Sequence, residues 1–413
     1  MTDDPTHLRG SGVLLHVGSL PGGTLAEARA FIDWLADAGQ SWWQILPLTP
    51  PDENGSPYAS PSAFAGRTDV LARPRARVTA AERADFHDRC AYWIDDWAGE
   101  RGREALDDQV RFDREWAEVR AHARERGVRI LGDLPFYVAP GAVDVSAHPE
   151  IFRDDLVAGV PPDAFSDDGQ LWGNPTYDWT ALRRGGDRWW IERLARTREL
   201  HDATRVDHFR AFVAWWGVPR GARTARSGRW HRGPGARVVE AARERLGSLP
   251  LVAEDLGVIT EPVTRLMERL GLPGMRVLHF AFPGGPRNPH RPENHPRRCV
   301  AYAGTHDNDT SAGWWASAGD RARGALTRAA EAAGIHGEPP HRAMMRLALS
   351  SPAGLAILTA QDLLGLGSEA RLNTPGVAGG NWAWRLVRGQ LDAGLAAWLR
   401  DETERAGRLP AAA

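Results

Sequence analysis

The sequence predicts a (β/α)8 barrel formed by a chain of 413 residues. Three observations predict it: eight short apolar runs, helix-period segments between them, and a polar or charged residue closing most runs ahead of Gly or Pro. The runs lie at 13–16, 44–48, 128–135, 204–207, 251–254, 277–280, 300–304 and 355–359. The clearest helix is 25–38, where Ala28, Phe31, Ile32 and Leu35 fall at i, i+3, i+4 and i+7. Thr24 with Glu27 predicts a capping box before it, and Gly39 closes it.

The connections are unequal. Runs five to seven follow at intervals of about 24 residues, room for one helix each. About 80 residues separate runs two and three, and the charged, helical stretch 80–126 predicts an inserted helical subdomain over 67–127. About 70 residues separate runs three and four, so 136–203 is expected to be a second insertion. Its stretch 160–179, rich in Pro, Gly, Asp and Trp, predicts a binding loop. With no internal repeat, low-complexity tract or flexible linker, 1–413 reads as a single domain with insertions.

Composition excludes several classes of function. All 51 basic side chains are arginine, which removes Schiff-base lysine chemistry, a pyridoxal-phosphate lysine and a P-loop lysine. Against 53 acids the formal charge is −2, and no basic run suggests a nucleic-acid surface. Cys90 and Cys299 are too few for a disulfide framework and are not spaced as a metal knuckle. Neither a signal-like N-terminus nor a long uncharged apolar run is present, so the expectation is a cytoplasmic protein without a membrane partner.

In such a barrel the reactive groups sit at the C-terminal strand ends. Those ends carry Asp133, then Arg205 and Asp207 in Thr-Arg-Val-Asp-His-Phe-Arg, then Glu254, then His306 and Asp307. Asp207 and Glu254 are 47 residues apart and Asp307 lies 53 further, so only the barrel can bring them together. One Asp at a strand end is more often a cap or loop anchor; carboxylates on successive strands, flanked by Arg205 and His306, point to chemistry. Glycosidic cleavage needs one ionised and one protonated carboxyl. Arg205, two residues before Asp207, shares its strand face and would keep it charged. Glu254 has no arginine so placed, which suits the acid/base role.

Histidines 208 and 306 carry no ligand spacing for a metal, and Asp163, Asp167 and Asp168 with Gly169 lack the twelve-residue calcium pattern, so neither a metal nor a cofactor is expected. The 18 tryptophans include adjacent pairs at Trp42–Trp43, Trp189–Trp190, Trp215–Trp216 and Trp314–Trp315. In extended backbone one ring of a pair packs inward and the other faces out. Most should pack the barrel. Trp172, in the Gly- and Pro-rich stretch, is free to stack on a glucose ring, and Tyr58 can serve likewise.

Many strings resemble the 4-α-glucanotransferase family, also called amylomaltase or disproportionating enzyme, within the α-amylase group. They run from Ser11-Gly-Val-Leu-Leu-His to Asn381-Trp-Ala-Trp-Arg. Between these lie Trp43-Gln-Ile-Leu-Pro-Leu, Ser56-Pro-Tyr-Ala-Ser, Gly132-Asp-Leu-Pro, Gly159-Val-Pro-Pro-Asp, Gly169-Gln-Leu-Trp-Gly-Asn-Pro, Arg205-Val-Asp-His-Phe-Arg and Ala253-Glu-Asp-Leu-Gly. Gly304-Thr-His-Asp-Asn-Asp-Thr and Gly365-Leu-Gly-Ser-Glu-Ala-Arg-Leu-Asn-Thr-Pro-Gly follow. The resemblance implies a retaining transglycosylase that uses maltooligosaccharides and α-1,4-glucans as donor and acceptor. It implies Asp207 as nucleophile, Glu254 as acid/base and Asp307 as the third carboxylate. Tyr58, Trp172, Asn174, Arg205, His208, His306 and Asn373 become the expected substrate contacts.

The chain departs from the family pattern around the cleft. It is shorter than typical members, the Gly-rich loop after Ser19-Leu-Pro-Gly is cut to Gly23-Thr-Leu, Ala59 replaces the usual Gln, and Ser146 stands where Trp is common. Two alternatives stay open on the sequence: an α-glucan hydrolase of the same group, and a glucan-binding barrel without catalysis.

Overall fold

Eight short strands carry the architecture of the chain, whose computed structural model describes residues 4–7, 9–99, 101–162, 166–377 and 379–410. They are β1 (Gly10–Leu14), β2 (Trp42–Gln44), β3 (Arg129–Leu134), β4 (Ala203–Val206), β5 (Leu251–Ala253), β6 (Gly274–Val277), β7 (Cys299–Tyr302) and β8 (Leu355–Thr359). All neighbours pair in parallel in the order β6-β7-β8-β1-β2-β3-β4-β5, chain order wrapped into a circle. The seam between β5 and β6 is closed differently. Ala253 N–H donates to Pro273 O at 2.8 Å, and the Asp255 carboxylate accepts the Met275 N–H at 2.6 Å and Arg276 Nη1 at 2.8 Å. A side chain there does what strand pairing does elsewhere. Gly274 is required beside it, because a Cβ at that position would lie 2.5 Å from Asp255 Oδ2.

The strands are apolar on both faces because both faces are covered. Leu14, Trp42, Leu131, Val252, Val300, Tyr302 and Ile357 fill the barrel interior. Val13, Trp43 and Ile130, one residue out of step, pack outward against the helices. The Trp42–Trp43 pair thus points to opposite sides as the alternation predicts, yet both rings are buried. Trp215 and Trp216 also share a strand, with Trp215 buried and Trp216 half-buried. The pairs Trp189–Trp190 and Trp314–Trp315 sit on helices instead, where the alternation argument does not apply.

Of the predicted runs, 355–359 coincides with β8 and most others shift by one to three residues. The second and sixth shift most, each sharing one residue with its strand: those strands are Trp42–Gln44 and Gly274–Val277, and 278–280 is a 3-10 turn. Helix α1 spans Ala28–Asp37 and buries Ala28, Phe31, Ile32 and Leu35 as its periodicity requires. Gly39, at φ +70°, ends it, with Gln40 N–H returning to Leu35 O. The expected capping box does not form. Residues 25–27 wind as a 3-10 turn, Thr24 makes no side-chain cap, and the Glu27 carboxylate pairs with Arg388.

Between β2 and β3 lie α2 (Ala80–Cys90), α3 (Ile94–Ala98) and α4 (Arg103–Glu125). The capping box missing at α1 is present at α2, between Thr79 and Glu82. Phe112, Trp116, Val119 and Ala123 of α4 join the core that includes Val13 and Trp43, so this helix is part of the layer around the barrel.

The stretch read as a loop is largely strand. Phe152–Val160 pairs antiparallel with Gln170–Tyr177 on one side and Ala214–Pro219 on the other, and the last pairs with Arg229–Arg232. This four-stranded sheet grows from the excursions after β3 and β4, both of which leave the C-terminal mouth of the barrel. Gln170–Tyr177 is an edge strand, tolerant of Pro175, with a register shift around Trp172. Its polar, Gly- and Pro-bearing sequence hid it.

Asp255→Ala tests the seam. Removing a buried acceptor leaves the Met275 N–H and Arg276 without their partner, and is expected to destabilise the fold by about 3 kcal/mol. The measurement is a lower urea midpoint at unchanged slope.

Candidate active site

The parallel ladder sets the site. Asp133 and Arg205 face each other in the β3–β4 register. One residue beyond β4, Asp207 N–H donates to Leu134 O at 2.9 Å; one beyond β5, Glu254 N–H donates to Val206 O at 3.0 Å. Continuing the register that pairs Val206 with Ala253 puts Asp207 beside Glu254, backbones about 5 Å apart. Two carboxyls 47 residues apart in sequence therefore meet on adjacent strand ends.

The Arg205 guanidinium, buried, holds both sides of this arrangement. Its Nη1 lies 2.9 and 2.7 Å from the two Asp133 oxygens, and its Nη2 donates to Asp207 Oδ1 at 2.8 Å. Burial pushes the Asp133 carboxyl up to about 7, and Arg205 pulls against it. Three donors on its two oxygens, Arg205 twice and Tyr58 once, favour the ionised form.

Tyr58 extends the network to β7. Its hydroxyl donates to Asp133 Oδ2 at 2.7 Å and lies 2.9 Å from His306 Nε2. Burial holds the phenol neutral and lowers His306, so His306 is a neutral ring whose Nε2–H donates to Tyr58. The two rings stack 5.3 Å apart, with Trp382 5.8 Å from Tyr58. Trp382 has φ +63°, an uncommon conformation for a bulky residue. His306 Nε2 also lies 3.3 Å from Asp307 Oδ2, while Asn373 Nδ2 donates to Asp307 Oδ1 at 2.6 Å. Arg371 holds the Asp307 carbonyl at 2.7 Å. Side chains of Asp207 and Asp307 remain 31% and 42% exposed, open to the mouth.

Glu254 is held by backbone. His208 N–H donates to its Oε2 at 2.8 Å and Leu256 N–H to its Oε1 at 2.6 Å. Burial, then the nearby Asp207 charge, push its carboxyl up to about 7. His208 adopts φ +49°, which turns the chain so that its N–H reaches Glu254. Burial takes the His208 imidazole down to about 4, leaving it neutral. Trp172, 38% exposed, meets that ring edge-on at 4.9 Å.

A family model for 4-alpha-glucanotransferase matches residues 15–95 and 106–390. The chain belongs to the 4-alpha-glucanotransferase family. The 4-alpha-glucanotransferase of Thermus thermophilus is 39% identical over 97% of this chain and 99% of its own. The chloroplastic/amyloplastic 4-alpha-glucanotransferase of Solanum tuberosum is 35% identical over 93% of this chain and 83% of its own. Among solved structures, the amylomaltase of Streptococcus agalactiae in complex with acarbose superposes with a TM-score of 0.91 at 30% identity, covering 97% of this chain and 100% of that one. The Corynebacterium glutamicum amylomaltase, at 17% identity and TM-score 0.78, shows the fold alone. The family and barrel expected from the motif strings are both borne out.

The barrel brings Asp207, Asp307, Arg205, His306, Tyr58 and Asn373 together around Asp133, with Glu254 beside Asp207 and held by backbone N–H groups. Asn174 donates its Nδ2 to Val138 O at 2.8 Å, tying the edge strand to the loop after β3. Trp172 and Asn174 sit on a strand, not in a loop. Asp163 lies outside the described residues, and Asp168 pairs with Arg226 at 2.8 Å. Ser146 is exposed and turns its hydroxyl back to Val143 O. Sequence reasoning found Asp133 at its strand end without giving it a role; Trp382 had no signal beyond the string that contains it.

Arg205→Lys tests the shared cation. One ammonium cannot span both carboxylates in the fixed fork of a guanidinium. The variant is expected to lose at least ~100-fold in kcat while still folding, with a lower Tm, measured by maltotriose turnover and thermal unfolding.

Proposed function

We propose that this chain transfers α-1,4-glucan segments between maltooligosaccharides by a retaining double displacement at the barrel mouth. Asp207 attacks the anomeric carbon as Glu254 delivers its proton to the departing glycosidic oxygen, so the C1–O bond breaks and a glycosyl-Asp207 ester forms. The 4-hydroxyl of an acceptor glucan then attacks C1. Glu254 takes that hydroxyl's proton, and Asp207 leaves as the free carboxylate.

One observation carries the reading: neighbouring carboxyls in adjacent register have opposite surroundings. Asp207 has a buried cation 2.8 Å from its Oδ1, while Glu254 is pushed up to about 7 and has no arginine on its oxygens among the described residues. Each Glu254 oxygen takes one backbone N–H, which leaves a lone-pair position on the carboxyl for the transferable proton. In this reading Asp307, held by the Asn373 amide, accepts sugar hydroxyls, and Trp172 offers its face to a pyranose ring. Maltooligosaccharides are the substrates expected from the family.

Incubation with pure maltotriose is expected to give a ladder of longer glucans with released glucose; hydrolysis without elongation would sink the transfer reading. Asp207→Asn is expected to reduce turnover at least ~10³-fold while maltooligosaccharide binding persists, read by calorimetry beside activity.

The raised Glu254 carboxyl gives a signed pH dependence. Its acid form persists up to about 7, so kcat/KM should fall as pH rises through that value. The pH profile of kcat/KM on maltotriose checks this. Activity still climbing above about pH 8 would contradict Glu254 as the acid.

A further inference from the structure

Two of the large hydrophobic side chains left exposed are tryptophans: Trp172 at 38% and Trp230 at 44%. Trp172 belongs to the site already described. Trp230 has been given no role, and it is not a loosely held surface ring. The Arg210 guanidinium carbon lies 4.1 Å from its ring centroid, and Trp216 meets it edge-on at 5.2 Å. Trp216 is itself fixed, opposite Trp230 in the antiparallel register and donating its indole N–H to Ala225 O at 2.9 Å. Packing around it is close enough that a Cβ on Gly228 would fall 2.2 Å from Trp216 Nε1.

The support beneath Trp230 hangs from the loops that hold Glu254. Arg210 sits two residues past His208, whose N–H binds the Glu254 carboxyl, in the turn Phe209–Phe212. Its Nη1 donates to Val258 O at 3.0 Å, four residues beyond Glu254. Burial lowers the Arg210 guanidinium, and the nearby Glu254 works against that shift. Its Nε is buried without a hydrogen-bond partner among the described residues.

We propose that Trp230, braced by Arg210, is a platform for the acceptor glucan, stacking the apolar face of a glucose unit beyond the one that reacts. Resting on the reading of Glu254 as the acid/base, the platform lies on the side where the leaving sugar departs and the acceptor arrives. A flat indole with one face braced by a guanidinium leaves the other face for the C–H surface of a pyranose, and Arg210 has donors left for its hydroxyls. Because Arg210 stands one turn away from the carboxyl, the platform engages a second or later sugar of the acceptor, not the first.

The test uses the whole enzyme with amylose as donor and either glucose or maltotriose as acceptor. Trp230→Ala is expected to raise the apparent KM for maltotriose about tenfold, the size of one aromatic contact, with kcat within about twofold and the KM for glucose little changed. Trp230→Phe should restore most of the maltotriose affinity. Equal losses for both acceptors, a loss confined to kcat, or no change in either KM would overturn the platform. If Trp230→Ala does not fold, Trp230→Gln, which also removes the ring, carries the same comparison: a KM rise for maltotriose alone supports the platform, and none overturns it. Wild-type enzyme that fails to elongate maltotriose would instead remove the transferase reading, so the two failures are distinguishable.

Discussion

The site depends on one buried cation. Arg205 sits inside the mouth of the barrel with Asp133 on one side and Asp207 on the other, and its desolvation is tolerable only because both carboxylates hydrogen-bond to it. Strand register makes the arrangement possible. Asp133 is its cross-strand partner on β3, and Asp207 lies two residues along its own strand face. A charge fixed this way needs no reorganisation when substrate arrives. Through Tyr58 the same network reaches His306, whose Nε2 lies 3.3 Å from Asp307 Oδ2.

Glu254 stands outside that network by design of its neighbours. Backbone amides hold it, no guanidinium among the described residues touches it, and burial beside Asp207 raises it. Two acids on adjacent strands thus acquire different characters from their surroundings alone. The antiparallel sheet that grows from the loops after β3 and β4 adds aromatic surface: Trp172 against His208, and Trp230 against Arg210. The carboxylates thus stand at strand ends, and the exposed aromatic surface beside them lies on the excursions.

Much of this was legible in the residues, and the failures have physical causes. Strand positions were visible because parallel strands covered on both faces are apolar throughout; their ends were blurred because apolar residues continue into buried turns, as at Leu278. The capping box at Thr24 failed because the first turn winds as 3-10 and Glu27 finds Arg388, 361 residues away. Strand Gln170–Tyr177 escaped notice because an edge strand, here exposed over its first half, tolerates Gly and Pro, the usual marks of a loop. Only the fold shows that the Asn174 Nδ2 donates to Val138 O.

By itself the sequence determined the eightfold alternation, the family and the three carboxylates, because strand period, apolar runs and motif strings are local properties of the chain. The lack of lysine left arginine for the fixed cation, and a bidentate fork is what the Asp133–Arg205–Asp207 arrangement uses. Tertiary structure alone decided which acid stands beside the cation, which is raised by burial, how β5 meets β6 through Asp255, and which tryptophans stay uncovered. Those properties depend on what lies within a few ångströms across strands distant in sequence, and desolvation and hydrogen bonding act at that range.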